Sequence, residues 1–217
     1  MIISRLFLNI LFPPICFGCR KYNKNYLCEN CWQKININRT LFFPDGPFQY
    51  TLAAATDYKS EALQNLIRDL KYDFLTSAME PIKKIIDVYF KNLEIKQFSN
   101  FVIIPIPLSK KRYRKRGFNQ AELIANYIAD KFSLPIAKDI LIKIKDSPKQ
   151  SEAKDWQERL KNIDGCFSVT NPEKIKNKNI ILVDDVYTSG ATVNEAIRVL
   201  KLAGVEKVLV FTIAKAG

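Results

Sequence analysis

Apolar residues recur every three or four positions in two segments that follow residue 60, and this spacing is typical of amphipathic helices. The first segment carries Leu63, Leu66, Ile67 and Leu70, and the second carries Ile82, Ile85, Ile86 and Tyr89. The same spacing predicts a helix over residues 121–132. A further helix is predicted over residues 193–202 and should end at Gly204.

Short continuous apolar runs separate these helices and predict buried strands. They lie at residues 101–104, just before Pro105, at residues 180–183, and at residues 208–213. Strands that alternate with helices form largely parallel sheets with right-handed crossovers. The pattern therefore predicts an α/β fold with helices on both faces of a parallel sheet.

Pro44, Gly46 and Pro47 separate a cysteine-bearing N-terminal stretch from this α/β region. Proline and glycine clusters of this kind mark loops and domain boundaries. We therefore predict a small module over residues 1–45 and a larger domain over residues 46–217.

The opening residues 1–12 are fairly apolar, but Pro13 and Pro14 end the run well short of the roughly 20 residues that a bilayer requires. We predict no membrane span. Because no small-residue cleavage site precedes the first cysteine, we expect no secretory signal. We therefore expect a cytoplasmic location. An amphipathic contact with the inner face of the membrane or with a partner stays open.

The amino-acid composition limits the partners and the catalytic mechanisms that are open to this chain. Lys and Arg number 34 against 22 Asp and Glu, so the formal charge of +12 favours acidic partners such as nucleotides, nucleic acid or an anionic membrane. The chain contains no histidine, which excludes Ser-His-Asp and Cys-His activation and imidazole general bases. Catalysis would have to use carboxylates, lysine, arginine, backbone amides, a metal ion or groups of the substrate.

Four cysteines form two Cys-x2-Cys pairs separated by eight residues. The pairs are Cys16 with Cys19 and Cys28 with Cys31. Four thiolates at this spacing suit a tetrahedral structural zinc ion, with an iron–sulfur cluster as a minor alternative. Disulfides are disfavoured in the cytoplasm. The fifth cysteine, Cys166, is predicted to be a small buried residue rather than a nucleophile.

Residues 180–192 combine a predicted strand, an acidic pair, a loop of small residues and a helix start. The strand should deliver Asp184 and Asp185 to the carboxyl edge of the sheet, where their carboxylates can accept hydrogen bonds from ribose hydroxyls. Gly190 lets the backbone approach a ligand closely. The hydroxyls of Thr188 and Thr192 and the amides of the loop suit a phosphate. The loop residues that we assign to this site are Thr188, Ser189, Gly190, Ala191 and Thr192. The alternative is an ordinary turn whose acids are solvated or cap the helix.

Six of the seven residues from Lys110 to Arg116 are cationic, and we predict that this segment is a basic loop. Arg112, Arg114 and Arg116 could bind a pyrophosphate, while Tyr113 and Phe118 offer stacking faces for bases. One loop could therefore serve an anionic ligand or single-stranded nucleic acid. The alternative without a binding function is a basic stretch that is simply solvated. Downstream, the polar residues 147–162 are expected to form an active-site lid or merely a surface connection.

The segment Val-Asp-Asp-Val-Tyr-Thr-Ser-Gly-Ala-Thr at residues 183–192 resembles the phosphoribosyl-pyrophosphate (PRPP) motif of type I phosphoribosyltransferases. The resemblance implies that Asp184 and Asp185 hold the ribose 2′- and 3′-hydroxyls and that residues 188–192 hold the 5′-phosphate. It also implies Mg²⁺ bound together with PRPP.

The wider set of motifs is similar to the ComF family over nearly the whole chain. In chain order the set comprises the cysteine pairs, Leu70-Lys71-Tyr72, Pro105-Ile106-Pro107, Arg116-Gly117-Phe118-Asn119-Gln120, Gln150 with Arg159 and Asn162, and the PRPP motif. The family is associated with natural competence, so the resemblance implies cytoplasmic handling of incoming single-stranded DNA, with DNA-uptake or recombination proteins as conceivable partners. Lys71 and Lys110 join the pyrophosphate or DNA candidates.

Three functions remain open on the sequence. The favoured one is a PRPP-binding competence protein, which could also be a phosphoribosyltransferase with an unknown acceptor. A nucleotide-salvage phosphoribosyltransferase should carry a base-recognition hood, which the sequence does not reveal. A non-catalytic, zinc-containing nucleic-acid adaptor would keep the sugar-phosphate pocket as a ligand sensor or relic.

Overall fold

The computed structural model describes residues 13–72, 76–93, 100–145 and 165–216. Its strands within these ranges are β1 (Thr51–Asp57), β2 (Phe101–Pro105), β3 (Leu141–Lys143), β4 (Phe167–Val169), β5 (Asn179–Tyr187) and β6 (Lys207–Lys215). Four of them form an all-parallel sheet in the order β1-β6-β5-β2, and β3 and β4 form a separate antiparallel pair. The parallel α/β sheet predicted from the sequence is therefore confirmed.

Helices connect these strands. They are α1 (Glu29–Trp32), α2 (Glu61–Tyr72), α3 (Met79–Asn92), α4 (Lys110–Arg116), α5 (Gln120–Phe132) and α6 (Ala191–Leu202), with 3₁₀ turns at Thr76–Ala78 and Pro172–Lys174. The four helices predicted from apolar spacing correspond to α2, α3, α5 and α6. Leu63, Leu66, Ile67 and Leu70 are at most 1% exposed, so the apolar stripe of α2 is the face that packs in the core.

The prediction of a basic loop at residues 110–116 is wrong, because this segment is the helix α4. The Ser109 hydroxyl accepts a hydrogen bond from the Arg112 amide, which caps the start of the helix. Gly117 ends it with a positive φ of 76°. Lysine and arginine are good helix formers, so two capping residues are enough to order a segment whose charge suggested a solvated loop.

The sequence suggested that the acidic pair follows its strand, but the structure shows that the pair is part of the strand. β5 continues to Tyr187, and Asp184 lies opposite Thr212 of β6 in the parallel register. Successive side chains of a strand point to opposite faces of the sheet. Asp184 and Asp185 therefore start on different faces of the sheet, and each meets different neighbours.

The sheet separates two apolar cores. Ile181 and Val183 of β5 pack on the side of α2, α3 and α5, whereas Ile180 and Leu182 pack on the side of α6 and the β3–β4 pair. Apolar residues on both faces explain why the strands read as continuous apolar runs. By this alternation, Asp185 falls on the side of α2, and Asp184 falls on the side of the β3–β4 pair.

The cysteine-bearing module packs against α2. Phe17 is 2% exposed and belongs to the core cluster on the α2 side of the sheet. The Arg20 guanidinium makes a two-pronged ion pair with Asp69, which is 2% exposed, and the Asn65 side-chain amide donates to the Gly18 carbonyl at 3.1 Å. The module is thus fixed to the helix that ends in Lys71. The boundary at residues 45–46 stays a prediction.

None of the helices in the described part of the chain has both the length and the apolar character of a membrane span.

Candidate functional site

A cleft of about 240 Å³ opens at the carboxyl edge of the parallel sheet. The predicted site residues that line it are Lys71, Arg112, Arg116, Asp184, Asp185, Thr188, Gly190 and Thr192. These residues come from three separate parts of the chain. Ligands of open α/β sheets bind at this edge, so the cleft lies where the topology favours a binding site.

An ion pair joins the two sides of the cleft. The Lys71 ammonium at the end of α2 lies 3.0 Å from a carboxylate oxygen of Asp185. The Asp185 amide donates to the Asp184 carboxylate at 2.8 Å, which orients the second acid. A carboxylate pair at the floor of the cleft is thus held by one cation and one backbone amide.

The electrostatics of the cleft follow from this arrangement. Burial alone would lower the pKa of Lys71, but the Asp185 carboxylate outweighs burial and the pKa is raised. Lys71 is therefore an ammonium ion. Burial, followed by the nearby negative charge of Asp185, raises the pKa of Asp184 from 3.8 to about 7. Near neutral pH Asp184 therefore exchanges its proton in the ligand-free cleft, while Lys71 keeps its positive charge.

The loop after β5 is shaped by glycine. Gly190 has a φ of +74°, and a Cβ at this position would lie 2.9 Å from Cζ of Tyr187. The Tyr187 hydroxyl is in turn hydrogen-bonded to the hydroxyl of Tyr50 at 2.9 Å in a buried contact. The tyrosine pair therefore fills the space beneath the loop, and residue 190 must be glycine for the helix α6 to begin directly behind it.

We expect Gly190→Ala to lower both stability and affinity for the ligand of the cleft, because a non-glycine residue in this backbone region costs about 1–3 kcal/mol before the contact with Tyr187 is added. Thermal unfolding and calorimetry measure the two effects. Gly46→Ala is the matched control, since its Cβ would meet no atom closer than 3.8 Å and its φ is not positive. Equal behaviour of the two variants would contradict this account of the loop.

The wall opposite the acids is formed by α4 and the start of α5. The Arg116 guanidinium donates to the Gln120 side-chain oxygen at 3.0 Å, and the Gln120 amide approaches the Lys71 carbonyl at 3.4 Å. Asn119 caps α5 by accepting the Ala121 amide and also donates to the Ile106 carbonyl. The sequence placed Asn119 and Gln120 in a motif without a role. Their role here is to hold Arg116 beside the end of α2.

Some predicted site residues lie elsewhere. Lys110, Tyr113 and Arg114 are exposed on α4 and do not line the cleft, and neither do Ser189, Ala191 or Phe118. Lys143 of β3 does line it, although three residues of a short strand give no periodic signal in the sequence. The predicted lid at residues 147–162, with Gln150, Arg159 and Asn162, falls outside the described residues.

The four cysteines of the module come together in space. The sulfur atoms of Cys16, Cys19, Cys28 and Cys31 all lie within 4.8 Å of one another, and those of Cys19 and Cys28 are 3.8 Å apart. Four sulfurs at about 2.3 Å from a tetrahedral zinc ion are separated by about 3.8 Å, so the cluster fits this ion.

Backbone amides lower the pKa of one thiol of the cluster. Burial would raise the pKa of Cys16, but hydrogen bonds from the Cys19, Cys28 and Gly18 amides outweigh it and lower the pKa to about 6. A thiolate at neutral pH is the form that binds a metal. A Cβ on Gly18 would lie 2.6 Å from the Cys31 sulfur, so glycine lets the loop close around the site. Cys166 is 2% exposed, which confirms its prediction as a buried residue.

These features define a phosphoribosyltransferase-type protein with an N-terminal zinc ribbon. Residues 114–217 match the phosphoribosyl transferase domain, and residues 7–41 match the double zinc ribbon domain. The first match contains Arg116 and the cleft residues between 184 and 192, and the second contains all four cysteines of the cluster. Zinc is the structural metal that this ribbon and its four cysteines support.

Three relatives indicate the family that the chain resembles. Competence protein F of Haemophilus influenzae is 35% identical over 117 residues, 52% of this chain and 50% of that protein. Competence protein ComFC of Bacillus subtilis is 41% identical over 101 residues, 46% of this chain and 38% of that protein. Competence protein ComFC of Streptococcus pneumoniae is 28% identical over 207 residues, 92% of this chain and 80% of that protein.

The matched part of the chain thus spans half or less of the Haemophilus and Bacillus proteins and most of the Streptococcus one. Together with the phosphoribosyl transferase domain, these matches support a ComF-family protein of the phosphoribosyltransferase type. The resemblance seen in the sequence is confirmed.

Proposed function

We propose that the cleft binds PRPP together with Mg²⁺ and that the protein acts on single-stranded DNA in natural competence. The observation that carries the first part is the convergence, in one cleft, of two acids, a helix-initiating loop and four cations. A ribose with one phosphate and one pyrophosphate requires groups of these three kinds.

Each part of PRPP has a partner in this proposal. Asp184 and Asp185 accept hydrogen bonds from the ribose hydroxyls, and residues 188–192 hold the 5′-phosphate with loop amides and threonine hydroxyls. Lys71, Arg112 and Arg116 face the pyrophosphate, because they lie on the opposite wall of the same cleft. Mg²⁺ would supply Lewis-acid neutralisation of the pyrophosphate charge.

The role in competence rests on the relatives, whose names identify them as competence proteins. The charge of +12 supports a nucleic-acid partner. We propose further that the protein is cytoplasmic, with single-stranded DNA as its partner and DNA-uptake or recombination proteins acting beside it.

Transfer of the ribose-phosphate to an acceptor is a separate question from binding. A salvage enzyme needs a surface that recognises a base, and of the described β3–β4 pair Lys143 is the residue that reaches the cleft. This favours a binding protein, or a transferase with an unusual acceptor, over a salvage enzyme. An adaptor without turnover would bind PRPP and release no pyrophosphate.

Calorimetry of the whole chain with PRPP, in the presence and absence of Mg²⁺, tests the proposal. We expect saturable binding that weakens when Mg²⁺ is removed. Pyrophosphate release is then assayed across the common bases, and release with one of them would identify an acceptor. The absence of PRPP binding in a folded, zinc-loaded protein would refute the proposed ligand.

Binding of PRPP should depend on pH through Asp184. Its pKa is raised from 3.8 to about 7 in the folded chain, so its contribution to stability is complete below pH 4 and is lost as pH rises through about 7. The ribose hydroxyls require the ionised carboxylate as an acceptor. Affinity should therefore rise with pH, by up to about tenfold per unit, and level off above pH 7.

Because the phosphates of PRPP also titrate, the pH profile of Asp184→Asn serves as the reference. We expect the difference between the two calorimetric profiles to show the rise below pH 7. Parallel profiles from pH 5.5 to 8 would show that Asp184 does not exchange its proton on binding.

A further inference from the structure

The helix α4 presents two separate cationic faces. Arg112 and Arg116, one helical turn apart, are half-buried and line the cleft. Lys110 and Arg114 are also one turn apart, but they are exposed and do not line it. At about 100° per residue these two pairs lie on nearly opposite sides of the helix. The basic segment is therefore divided between the cleft and the outside of the protein.

The start of α4 adjoins the neighbouring strand β3. A shallow groove of about 400 Å³ is lined by Ser109 and Lys110 at the start of α4 and by residues 142–145. Two side chains of this stretch are exposed aliphatic residues, Ile142 at 37% and Ile144 at 55%. Tyr113 on α4 is 49% exposed. We call Lys110, Tyr113, Arg114, Ile142, Ile144 and Lys145 the outer surface.

The cations on the outside of α4 are not neutralised by the part of the chain that the structure describes. There, no carboxylate forms an ion pair with Lys110, Lys111, Arg114 or Lys115. Cations that form no ion pair with the described residues and flank exposed apolar side chains match a polyanion that also has apolar faces. Unstacked bases on a phosphate backbone have this character.

We propose that the outer surface binds single-stranded nucleic acid while the cleft binds PRPP, so that both ligands are held at once. The inference rests on the proposed function and deepens it, by separating two ligands that the sequence assigned to one basic segment. Duplex DNA is disfavoured, since its bases would not reach Tyr113 or Ile144. A membrane surface is disfavoured, because α4 spans seven residues and has no apolar stripe on its outer face.

Two matched double variants test the separation. Lys110→Gln with Arg114→Gln removes two charges from the outer face, and Arg112→Gln with Arg116→Gln removes two charges from the cleft face at the same spacing of the same helix. Fluorescence anisotropy with a labelled mixed-sequence 20-mer measures DNA binding between 0.05 and 0.3 M salt. Calorimetry with PRPP and Mg²⁺ measures the cleft. Zinc content and circular dichroism confirm that both variants fold.

The outer variant should flatten the log–log salt slope for single strands by about 1.4, equivalent to about a 25-fold loss of affinity at 0.1 M salt, because each phosphate contact contributes about 0.7. Its PRPP affinity should be unchanged. The cleft variant should lose PRPP affinity at least tenfold and keep the salt slope for DNA. Saturating PRPP should leave DNA bound to the unaltered chain.

The proposal is overturned if the two variants lose DNA affinity equally, if PRPP displaces the strand, or if the outer variant keeps the full salt slope. Vesicles with 30% anionic lipid provide the competing occupant. Loss of vesicle binding without loss of DNA binding in the outer variant would identify a membrane surface instead. If the unaltered chain binds DNA but not PRPP, the proposed ligand of the cleft fails while the outer surface stands.

Discussion

Replacement of Cys16 by serine is expected to release the metal and unfold the N-terminal module. Thiolate–zinc bonds supply much of the folding free energy of such small modules, about 10–16 kcal/mol in zinc-finger peptides. Cys16 is fully buried, and its sulfur accepts the Cys28 amide at 3.3 Å, so a serine would lose both a metal ligand and an internal hydrogen bond. Elemental analysis and thermal unfolding measure the outcome.

Replacement of Cys16 should also weaken ligand binding in the cleft. Gly18 and Arg20 of the metal loop are bound to Asn65 and Asp69 of α2, the helix that delivers Lys71 to Asp185. An unfolded module would leave Asp69, which is 2% exposed, without its cation, and a buried charge that loses its partner is strongly destabilising. We therefore expect the Cys16 variant to bind PRPP more weakly as well, although Cys16 is not one of the residues that line the cleft.

Cys166→Ser is the matched control. It makes the same replacement at a buried cysteine of the other core, outside the four-sulfur cluster. It should lower thermal stability modestly and leave the zinc content unchanged. A parent protein that contains no zinc when purified from zinc-replete cells would count against the metal site itself.

The sequence predicted most of the fold because the signals are local and redundant. The apolar stripe of α2 and the apolar run of β5 each identify one element without reference to the rest of the chain. β1 was missed because its centre is alanine, which is a weak strand former. The three-residue strands β3 and β4 are too short for any period to appear. The high charge of residues 110–116 predicted a loop, although Ser109 and Gly117 are residues that cap the helix α4 at its two ends.

The candidate site likewise contains residues that the sequence could identify and contacts that it could not. The PRPP motif at residues 183–192 is contiguous, so its acids, its glycine and its loop could be named from the sequence. The contact of Lys71 with Asp185 joins residues more than 100 positions apart, and the path from Arg116 through Gln120 to Lys71 depends on how two helices meet. No periodic pattern carries such information. The two faces of α4 likewise became distinct only when the segment proved to be helical.

Replacement of both acids, Asp184→Asn with Asp185→Asn, is expected to abolish measurable PRPP binding at micromolar ligand. Hydrogen bonds to charged groups contribute about 1.5–3 kcal/mol each, so losing both weakens binding by about two to four orders of magnitude. The fold should persist. Neutralising Asp184 removes a half-buried charge whose pKa is already raised to about 7, which offsets part of the cost of separating Lys71 from Asp185.

The single and control variants separate binding from stability. Asp184→Asn alone preserves the ion pair of Lys71 with Asp185, so it should lose affinity with little change in thermal unfolding. Asp130→Asn with Asp139→Asn removes the same two charges at exposed positions outside the cleft lining and should leave PRPP affinity unchanged. Calorimetry with PRPP and Mg²⁺ on the unaltered chain and these three variants measures whether the two acids contribute to PRPP affinity. Undiminished affinity in a folded Asp184, Asp185 double variant would place the ribose elsewhere and remove the central assignment of the cleft.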